Sequence, residues 1–431
     1  MRILVVGGGG REHALCWALK RDSPDATLFA APGNPGTALL GTNLQVPAVE
    51  VEKVVEVVEE HHIDLTIIGP EAPLALGLAD RLRERGRPVF GPSRAAARIE
   101  SSKAFAKDVM RRAGVPTAEG RAFTELDPAL RYIRDHAEPL VVKASGLAAG
   151  KGAVVCASRS EATRAARAML AGNAFGDAGR EIVVEEFLEG EELSVLALTD
   201  GARLLILPAA QDHKRLGEGD AGPNTGGMGA YCPVRLATAE LLARVRRDVL
   251  EPTIHELGRH GAPYQGVLYA GLMLGDDGAI RVLEFNCRFG DPETQAVLPV
   301  LPPGVTRHIA EIAAAAWKPA DAGVPATRAA VATVLAARGY PENPELGAAI
   351  VVPRDIEPGT LIFHAGTYRD PDGTLRGCGG RVLTVTGLGD TVADAAQRSA
   401  AACELIAFEG KTYRRDIGWR EIRGRAGAAR G

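Results

Sequence analysis

The sequence has few cysteines and little excess of either charge, and these shortages exclude several classes of protein. Its six cysteines are scattered through 431 residues without a C-x-x-C pair, which argues against a disulfide framework or a zinc site. The formal net charge of −4 supplies no basic field for general nucleic-acid binding. No apolar run is long enough to cross a membrane, and the chain opens directly into RILVV without a signal peptide. We therefore expect a cytoplasmic protein that binds neither nucleic acid nor membrane.

A glycine-rich stretch, KASGLAAGKG at 143–152, lacks the pattern of a P-loop. Only three residues separate Gly146 from Gly150, and Gly152 follows Lys151 where a metal-binding Ser or Thr would stand. The β-branched runs on both sides, PLVVK and GAVVCAS, predict that the loop joins two strands rather than a strand and a helix. Because glycine lets several backbone N–H groups face one anion, the stretch predicts a hairpin that holds phosphate.

The chain is long enough for several domains, each with its own core. Its first hundred residues alternate strand and helix, which is the rhythm of an open parallel sheet. Ligands of such sheets lie beyond the carboxyl ends of the strands, where the loops GGGGREH, APGNPGT and GPEAPL fall. A small α/β unit with the hairpin follows, then long antiparallel strands as far as Trp317, a linker rich in Pro and Ala, and a compact C-terminal unit with a helix at 391–408.

GGGGREH, at 7–13, is too weak a dinucleotide signal to predict a nicotinamide cofactor. Glu12 stands where the third glycine of G-x-G-x-x-G belongs, and no acidic residue clearly ends the second strand. Two interpretations stay open for this loop, namely a phosphate at the helix N-terminus or a tight turn without a ligand.

IVVEEFLEGEELSV, at 182–195, is an apolar strand that runs into carboxylates and then bends before another strand. The backbone around Phe187 and Leu188 could read the edge of adenine, and a carboxylate such as Glu192 could bind ribose hydroxyls. A solvated charged face is the alternative interpretation of Glu185 and Glu186.

VLEFNCRFGDPETQ, at 282–295, places Glu284 and Asn286 at i and i+2, so that both face one side of a predicted strand. Hard oxygen ligands in this arrangement suit Mg²⁺, which also shares phosphate oxygens. Arg288 could clamp a carboxylate or phosphate from the same side, and a polar strand end without a ligand is the alternative. The apolar residues of the stretch are expected to face the core: Leu283, Phe285 and Cys287.

QDHKRLGEGDAGPNTGGMGAY, at 211–231, is predicted to be a long polar loop between a buried strand and a helix. Loops of this length inside a compact domain are usually functional or disordered. The mixture of Asp212, His213, Lys214 and Asn224 favours a substrate site, although His213 by itself would more often be structural.

These stretches closely resemble the glycinamide ribonucleotide synthetase (phosphoribosylamine–glycine ligase) family, which are ATP-grasp enzymes of purine biosynthesis. The matching runs follow the family order over nearly the whole chain, and NTGGMGAY and EFNCRFGDPETQ are the most specific. The runs are GGREHAL, APGNPGT, DLTIIGPEAPL, GLAAGKG, AGNAFGDAG, EEFLEGEE, QDHKR, GPNTGGMGAY, LYAGLM, EFNCRFGDPETQ, FHAGT and RDIGW.

The resemblance implies an α/β ATP-grasp fold and a division of the chain. An N-terminal open parallel α/β domain would cover 1–101, on the phosphoribosylamine side. The central ATP-grasp domain would take 102–122 and 191–326, a small mobile lid domain 123–190, and a C-terminal α+β domain 327–431. The hairpin at 143–152 would close over the nucleotide from the lid.

The resemblance also implies the reaction and its ligands. ATP would be the co-substrate, Mg²⁺ or Mn²⁺ the metal, and glycine and 5-phosphoribosylamine the substrates. ATP phosphorylates the glycine carboxylate, and the amine then attacks the acyl phosphate to give glycinamide ribonucleotide, ADP and phosphate. The protein is expected to act as a monomer in the cytoplasm.

Site residues carry over from the family motif by motif. Lys143, Asp212 and Arg288 would be catalytic, and Glu284 and Asn286 would hold the metal. The residues assigned to ATP are Lys103, Lys143, Gly146, Ala148, Ala149, Lys151, Glu185, Glu186, Phe187, Leu188 and Glu192. The residues assigned to the other substrates are Gly9, Gly10, Asn34, Glu71, Asp212, Lys214, Asn224, Gly226, Arg288 and Asp291.

One position departs from the family, which usually reads K-A-D-G-L-A-A-G-K-G, because this chain has Ser145 in place of the acid. Serine lacks the negative charge but can still accept hydrogen bonds from backbone N–H groups at a turn.

Two rival interpretations of the whole chain stay open. The chain could be another ATP-grasp carboxylate–amine ligase or a biotin-dependent carboxylase subunit, or it could be a nucleotide-binding regulator that has lost catalysis. The regulator is disfavoured because Lys143, Glu284, Asn286 and Arg288 are all present.

Overall fold

The first hundred residues form the predicted parallel α/β unit in a computed structural model that describes residues 1–148, 152–172, 174–319 and 323–428. Its elements are β1 (Arg2–Gly7), α1 (Gly10–Asp22), β2 (Thr27–Pro32), β3 (Thr42–Asn43), α2 (Val51–Glu60), β4 (Leu65–Ile68), α3 (Glu71–Ala75), α4 (Leu78–Glu84), β5 (Val89–Phe90) and α5 (Arg94–Ser101). The strands pair in parallel in the order β3-β2-β1-β4-β5. Because this order reverses at β1, the loops after β1 and β4 open onto one crevice.

A small antiparallel sheet follows helix α6 (Lys103–Ala113). It is built from β6 (Gly120–Phe123), α7 (Leu126–Asp135), β7 (Leu140–Ala144), β8 (Ala153–Cys156), α8 (Arg159–Leu170) and β9 (Ile182–Glu186). We call the strands, paired in the order β6-β9-β7-β8, the lid sheet. The stretch 143–152 joins β7 to β8, so the prediction that it links two strands is confirmed.

Strand alternation decides which lid residues face the rest of the protein. Leu140, Val142 and Val184 are buried in the core between the lid sheet and its helices. Because successive side chains on a strand point to opposite faces, Lys143 on β7 and Glu185 on β9 face the other way. That second face is the one turned toward the central part of the chain.

The central part holds a second antiparallel sheet, of order β11-β10-β16-β17. The elements are β10 (Glu191–Thr199), β11 (Leu204–Ile206), β12 (Gln211–Asp212), β13 (Arg215–Gly217), β14 (Ala221–Asn224), β15 (Gly229–Cys232), α9 (Ala239–Val245), α10 (Glu251–Arg259), β16 (Gly266–Leu274), β17 (Ile280–Asn286), α11 (Glu293–Val300) and α12 (Thr306–Ala313). The expectation of one long loop at 211–231 was wrong, because β12 pairs with β15 and β13 pairs with β14 in this stretch. These strands are two to four residues long and rich in glycine, so they leave no alternating pattern to recognise.

The expectation that Leu283 faces the core was also wrong. The pairing of β16 with β17 shifts register between Gly271 and Leu272, where Glu284 and Val282 are the successive partners. Leu283 is therefore the extra residue of a bulge, which re-aims side chains near a sheet edge. Leu283 is only partly buried and lines the cavity beside Glu284, whereas Phe285 and Cys287 lie in the core as predicted.

The C-terminal part shares a sheet with the central part. Its elements are β18 (Ala329–Ala336), β19 (Thr360–His364), β20 (Thr367–Arg369), β21 (Leu375–Gly377), β22 (Arg381–Gly389), α13 (Val392–Leu405) and α14 (Trp419–Ala428). The sheet order β12-β15-β18-β22-β19 takes strands from both parts, and the division into four domains stays a prediction. No helix in the described ranges is both long and apolar enough to span a lipid bilayer.

Buried histidines at the junctions between these parts are held neutral. Burial lowers the pKa of His13 to about 3, with the nearby His364 adding to the effect. Burial and the charge of Arg414 lower the pKa of His213 to about 3. The Nδ1 atom of His13 accepts the backbone N–H of His364 at 2.9 Å, which requires that nitrogen to be unprotonated.

We predict that replacing His13 by Asn weakens the acid sensitivity of the fold. The folded pKa of His13 lies below its ordinary value, so the unfolded chain binds the proton first as the pH falls. The free energy of unfolding therefore decreases as the pH falls from about 6.5 toward 3, and one such histidine contributes about 1.4 kcal/mol per pH unit. Urea unfolding between pH 7 and 4 should show that the free energy of unfolding depends less steeply on pH in His13→Asn. The exposed His255 provides the control His255→Asn, and equal slopes in all three proteins would contradict the prediction.

Candidate active site

A cavity of about 400 Å³ lies where the parallel sheet, the lid sheet and the central sheet meet. Its wall takes side chains from the loops after β1 and β4, from α6, from β7 and β9 of the lid sheet, and from β17. Most of the residues that the sequence assigned to ligands line it: Glu71, Lys103, Lys143, Ala148, Glu185, Asp212, Lys214, Asn224, Gly226, Glu284, Asn286, Arg288 and Asp291.

The other assigned residues are either outside the described residues or not among those that line the cavity, and their roles stay predictions. Ala149 and Lys151 fall outside the described residues. Phe187 is 37% exposed, and Leu188 belongs to a small apolar cluster that also includes Met273. The others that do not line the cavity are Gly9, Gly10, Asn34, Gly146, Glu186 and Glu192, although Glu192 pairs with Lys214 and Gly146 accepts from Lys103, which both line it.

One buried carboxylate is shared by two lysines at the lid end of the cavity. Lys143 of β7 forms an ion pair with Glu185 Oε1 and donates to the carbonyl of Leu283 at 3.2 Å. Lys107 of α6 places its Nζ 2.7 Å from Glu185 Oε2. Lys107 lies one helical turn after Lys103, so both reach the same cavity from one face of α6.

Ser145 fixes the start of α6 against the lid sheet. Its hydroxyl accepts the N–H of Ala104 at 3.1 Å and donates to the carboxylate of Glu181 at 2.9 Å. Its carbonyl accepts the N–H of Lys103 at 2.8 Å. The expectation that serine can satisfy a backbone N–H at this position is confirmed.

Arg288 is clamped by carboxylates on the opposite wall. Its guanidinium lies 2.8 Å from Glu100 and 3.3 Å from Glu71, and it donates to Asn286 Oδ1 at 3.1 Å. Burial raises the pKa of Glu100, and the Glu71 charge adds to this despite Arg288. Burial acts on Glu71 too, but Arg288 and Arg11 outweigh it and lower the pKa of Glu71. The pKa of Glu100 is therefore raised and that of Glu71 lowered, although both carboxylates contact the guanidinium of Arg288.

Asp212 and Glu293 form a second buried acidic pair. Burial and the charge of Glu293 raise the pKa of Asp212 well above its usual range, although Lys214 opposes the shift. Among the described residues, Asp212 Oδ1 has no hydrogen-bond partner. Glu293 Oε1 accepts the hydroxyl of Tyr269 at 2.5 Å. A buried acceptor without a donor is costly unless a ligand supplies one, so this pair suits a ligand cation.

Glu284 is a carboxylate surrounded by cations. Burial alone would raise its pKa, but Lys214, Lys143 and Lys103 outweigh burial and lower it. Within the part of the chain that the structure describes, no group of three or more His, Cys, Asp or Glu side chains could hold a metal. Glu284 and the Asn286 oxygen supply two hard donors, which fits Mg²⁺ completed by phosphate and water oxygens rather than an all-protein cage.

The loop after β1 is held by Asn34 rather than left open. The Asn34 side chain donates to the carbonyls of Gly8 at 3.0 Å and His364 at 2.9 Å, and its oxygen accepts the N–H of Thr37 at 3.0 Å. Gly9 donates its N–H to Glu12 Oε2 at 2.7 Å. Asn34 thus joins its own loop to the loop after β1 and to the end of β19, and its amide is already engaged.

The β13–β14 hairpin, which carries Asn224 to the cavity, is tied down from the C-terminal part. Arg414 is 1% exposed. Its guanidinium donates to Asp220 at 2.9 Å, to Asp416 at 2.8 Å and to the carbonyl of Arg215 at 3.1 Å. A segment distant in sequence therefore sets the position of the hairpin.

Several cavity residues were missed from the sequence. Lys107 could have been found from its i+4 spacing to Lys103 on a predicted helix, and Glu293 lies inside the quoted stretch EFNCRFGDPETQ. Arg11 and Tyr269 likewise lie inside the quoted stretches GGGGREH and LYAGLM, whereas Glu100 and Arg381 lie outside every quoted stretch and reach the cavity from separate elements.

Family models of phosphoribosylglycinamide synthetase match three successive parts of the chain. The N domain matches residues 1–100, the ATP-grasp (A) domain matches 101–294, and the C domain matches 330–420. A phosphoribosylamine–glycine ligase of Vibrio parahaemolyticus is 46% identical over 98% of this chain and 99% of its own length. The enzyme of the same name from Pseudomonas aeruginosa is also 46% identical, over 98% of both chains.

Solved structures agree on the fold. The phosphoribosylamine–glycine ligase of Thermotoga maritima superposes with a TM-score of 0.86 at 36% identity, covering 97% of this chain and all of that one. The biotin carboxylase domain of Hydrogenobacter thermophilus 2-oxoglutarate carboxylase gives a TM-score of 0.73 at 18% identity, covering 95% and 91% of the two chains. The second likeness shows a shared fold alone.

We predict that Gly227→Ala loses at least tenfold in activity. Gly227 has φ of +107°, and a Cβ there would lie 2.4 Å from Pro292 Cδ and 2.9 Å from Asp212 Oδ1. The strained backbone and the contact would displace the orphan oxygen of Asp212. Gly278 has φ of +75° with no described atom within 4 Å of such a Cβ, so Gly278→Ala is a control for backbone strain alone. Steady-state rates that fall equally in both variants would contradict the steric reason.

Proposed function

The chain belongs to the phosphoribosylglycinamide synthetase family, and from that premise we propose which part of its cavity binds each substrate of an ATP-dependent ligase. The chain is a phosphoribosylamine–glycine ligase: it joins glycine to 5-phosphoribosylamine and converts ATP to ADP and phosphate. This assignment of substrates rests on one observation, namely that the two ends of the cavity are lined by different types of side chain. Lysines and apolar residues line the lid end, and the acidic pair and clamped arginine line the other.

ATP occupies the lid end. Apolar side chains of Ala106, Met110, Val183 and Leu283 form a slot there, and such walls suit a purine ring. Glu185 is the carboxylate at the slot. Lys103 and Lys143 line the cavity between the slot and the acidic pair and bind the phosphates there, because ammonium groups form charge-assisted hydrogen bonds with phosphate oxygens.

Mg²⁺ or Mn²⁺ accompanies ATP in ATP-grasp enzymes, and Glu284 and Asn286 are the residues that would hold it. Their oxygen donors fit this ion, as described above. Bound there, the ion would neutralise charge on the phosphates. Lys103, Lys143 and Lys214 add fixed positive charge around Glu284, so the protein itself contributes to that neutralisation.

Glycine binds at the acidic pair. Its ammonium group supplies the donor that Asp212 Oδ1 lacks and lies near the charge of Glu293. This places its carboxylate toward the phosphates, where one oxygen attacks the γ-phosphorus and ADP leaves. Arg288 stabilises the phosphoryl group in transfer, since a preorganised guanidinium needs no reorientation as charge develops.

Phosphoribosylamine approaches from the parallel sheet. Glu71, Arg11 and Asp291 line that side of the cavity, and burial of Asp291 is outweighed by Arg381 and Arg11, which lower its pKa. The amine nitrogen attacks the carbonyl carbon of glycyl phosphate, loses a proton, and expels phosphate. The glycine loop and Asn34 shape this side of the site. Because an acyl phosphate hydrolyses readily, enclosure by the lid sheet protects it from water.

The described part of one chain supplies every element of this cavity, which supports action as a monomer. The cysteines are free thiols, and Cys16, Cys156, Cys232, Cys287 and Cys403 are buried. Free thiols are typical of a reducing compartment, so we propose a cytoplasmic location.

We predict that the purified protein releases ADP only when glycine and phosphoribosylamine are both present with Mg-ATP. Phosphoribosylamine can be generated in the assay from ribose 5-phosphate and ammonia, and each component is omitted in turn. Alanine and aspartate replace glycine in matched reactions. The chain would not be the proposed ligase if either amino acid supported ADP release at the glycine rate.

We predict that Glu284→Gln loses most activity and raises the Mn²⁺ concentration needed for half-maximal binding at least tenfold, while the fold stays intact. The change removes a charged donor from the proposed metal pair. Mn²⁺ titration followed by electron paramagnetic resonance, with a non-hydrolysable ATP analogue present, measures binding apart from turnover. Glu345→Gln alters a 59%-exposed side chain and is the matched control. Unchanged metal affinity in Glu284→Gln would place the ion elsewhere.

A further inference from the structure

Lys107 contacts more protein atoms than a phosphate-binding lysine would. Its Nζ lies 2.7 Å from Glu185 Oε2, and it donates to Ala118 O at 2.6 Å and to Thr117 Oγ1 at 3.0 Å. The Lys107 side chain is only 15% exposed and that of Glu185 is 3% exposed. These contacts occupy the ammonium, so Lys107 is not free to bind a ligand itself.

Lys143 stands in a different position on the same carboxylate. It pairs with Glu185 Oε1 and, like Lys107, lines the cavity, on the side where the phosphates are proposed to lie. An ammonium group has three protons, and Lys143 donates to Leu283 O besides this ion pair. When ATP enters, phosphate oxygens compete for Lys143, whereas Lys107 keeps its hold on Oε2. Lys143 then releases Oε1, and Oε2 has no hydrogen-bond partner among the described residues although Lys107 Nζ lies 2.7 Å from it, so the carboxylate has an acceptor for the base.

A carboxylate in an apolar slot can distinguish purines by their 6-substituent. Adenine carries a 6-amino donor, which a carboxylate accepts. Guanine and hypoxanthine carry a 6-oxo acceptor, which a carboxylate repels. The apolar neighbours Met110 and Val183 offer no competing donor to a 6-oxo group. Base recognition by Glu185 requires the carboxylate to stay in a fixed position, and Lys107 is the group that can hold it there.

We propose that Lys107 is a positioning residue that makes the site selective for 6-amino purine nucleotides by fixing Glu185. The inference rests on the proposed placement of ATP at the lid end and goes beyond it by naming what sets base preference. Lys107 acts through Glu185 and touches neither the base nor the reacting atoms.

The test compares ATP with ITP, because the hypoxanthine of ITP differs from adenine in the 6-substituent and lacks the 2-amino group of guanine. Ligation rates with each nucleotide give kcat/KM, and calorimetric titration of each nucleotide with Mg²⁺ gives affinity without turnover. In Lys107→Met we expect the ATP:ITP ratio, which is kcat/KM with ATP divided by kcat/KM with ITP, to fall at least tenfold, equivalent to about 1.4 kcal/mol. The corresponding ratio of affinities should fall with it. The KM for glycine should stay within twofold.

Arg111→Met is the matched control, since Arg111 lies on the same helix, is 77% exposed and pairs with Asp108 at the surface. Its ATP:ITP ratio should equal that of the unaltered protein. If Lys107→Met fails to fold, Glu185→Gln tests the base contact through which Lys107 is proposed to act, because its amide can donate to a 6-oxo group and should lower the ratio by a similar factor; an unchanged ratio in a folded Glu185→Gln would overturn the proposal. A ratio unchanged in a folded Lys107→Met, with both nucleotides weakened equally, would overturn the proposal and leave Lys107 a structural residue. Loss of ligation in the unaltered protein would contradict the proposed function instead, and the calorimetric ratio would still test the role of Lys107.

Discussion

The ion pairs that Glu185 forms with Lys107 and Lys143 connect the elements on which the nucleotide end of the cavity depends. Lys107 comes from α6, Glu185 from β9 and Lys143 from β7, so one carboxylate joins a central helix to two strands of the lid sheet. This negative charge offsets the cost of burying both ammonium groups, because an unpaired buried ion costs several kcal/mol. The same contacts set the distance between the lid sheet and α6, and with it the width of the slot proposed for adenine.

At the opposite end of the cavity, buried charged groups are also held by their neighbours, but one buried acceptor is left without a donor. Arg288 is fixed between Glu71 and Glu100 by ion pairs within the protein, so the role proposed for it in phosphoryl transfer would need no reorientation. Asp212 has no donor for its Oδ1 atom among the described residues, and its raised pKa records the cost of burying that charge beside Glu293. A ligand ammonium relieves both problems. The charged groups around Arg288 are thus paired, whereas the end of the cavity proposed to bind glycine has an acceptor that lacks a donor.

Much of the fold was readable from short, apolar segments with strong periodicity. The run RILVVG and the loops after β1 and β4 predicted a parallel sheet with its ligands at the carboxyl ends of the strands, and both loops reach the cavity through Arg11 and Glu71. The pattern failed at 211–231, where short glycine-rich strands carry no alternation. It failed again at Leu283, since a bulge depends on the register of the partner strand and cannot be read from one strand.

The sequence by itself determined the family, the reaction and the two metal-binding candidates on β17, because these rest on residue types at fixed local spacing. Only the tertiary structure decided which charged side chains form ion pairs with one another. Glu185 pairs with Lys107 and Lys143, residues 78 and 42 positions earlier in the chain, and Arg414 fixes a hairpin 190 or more positions before it. Ion pairing acts through space and falls off with distance rather than with sequence separation. Side chains from unrelated elements therefore become partners only after the sheets have packed around a common cavity.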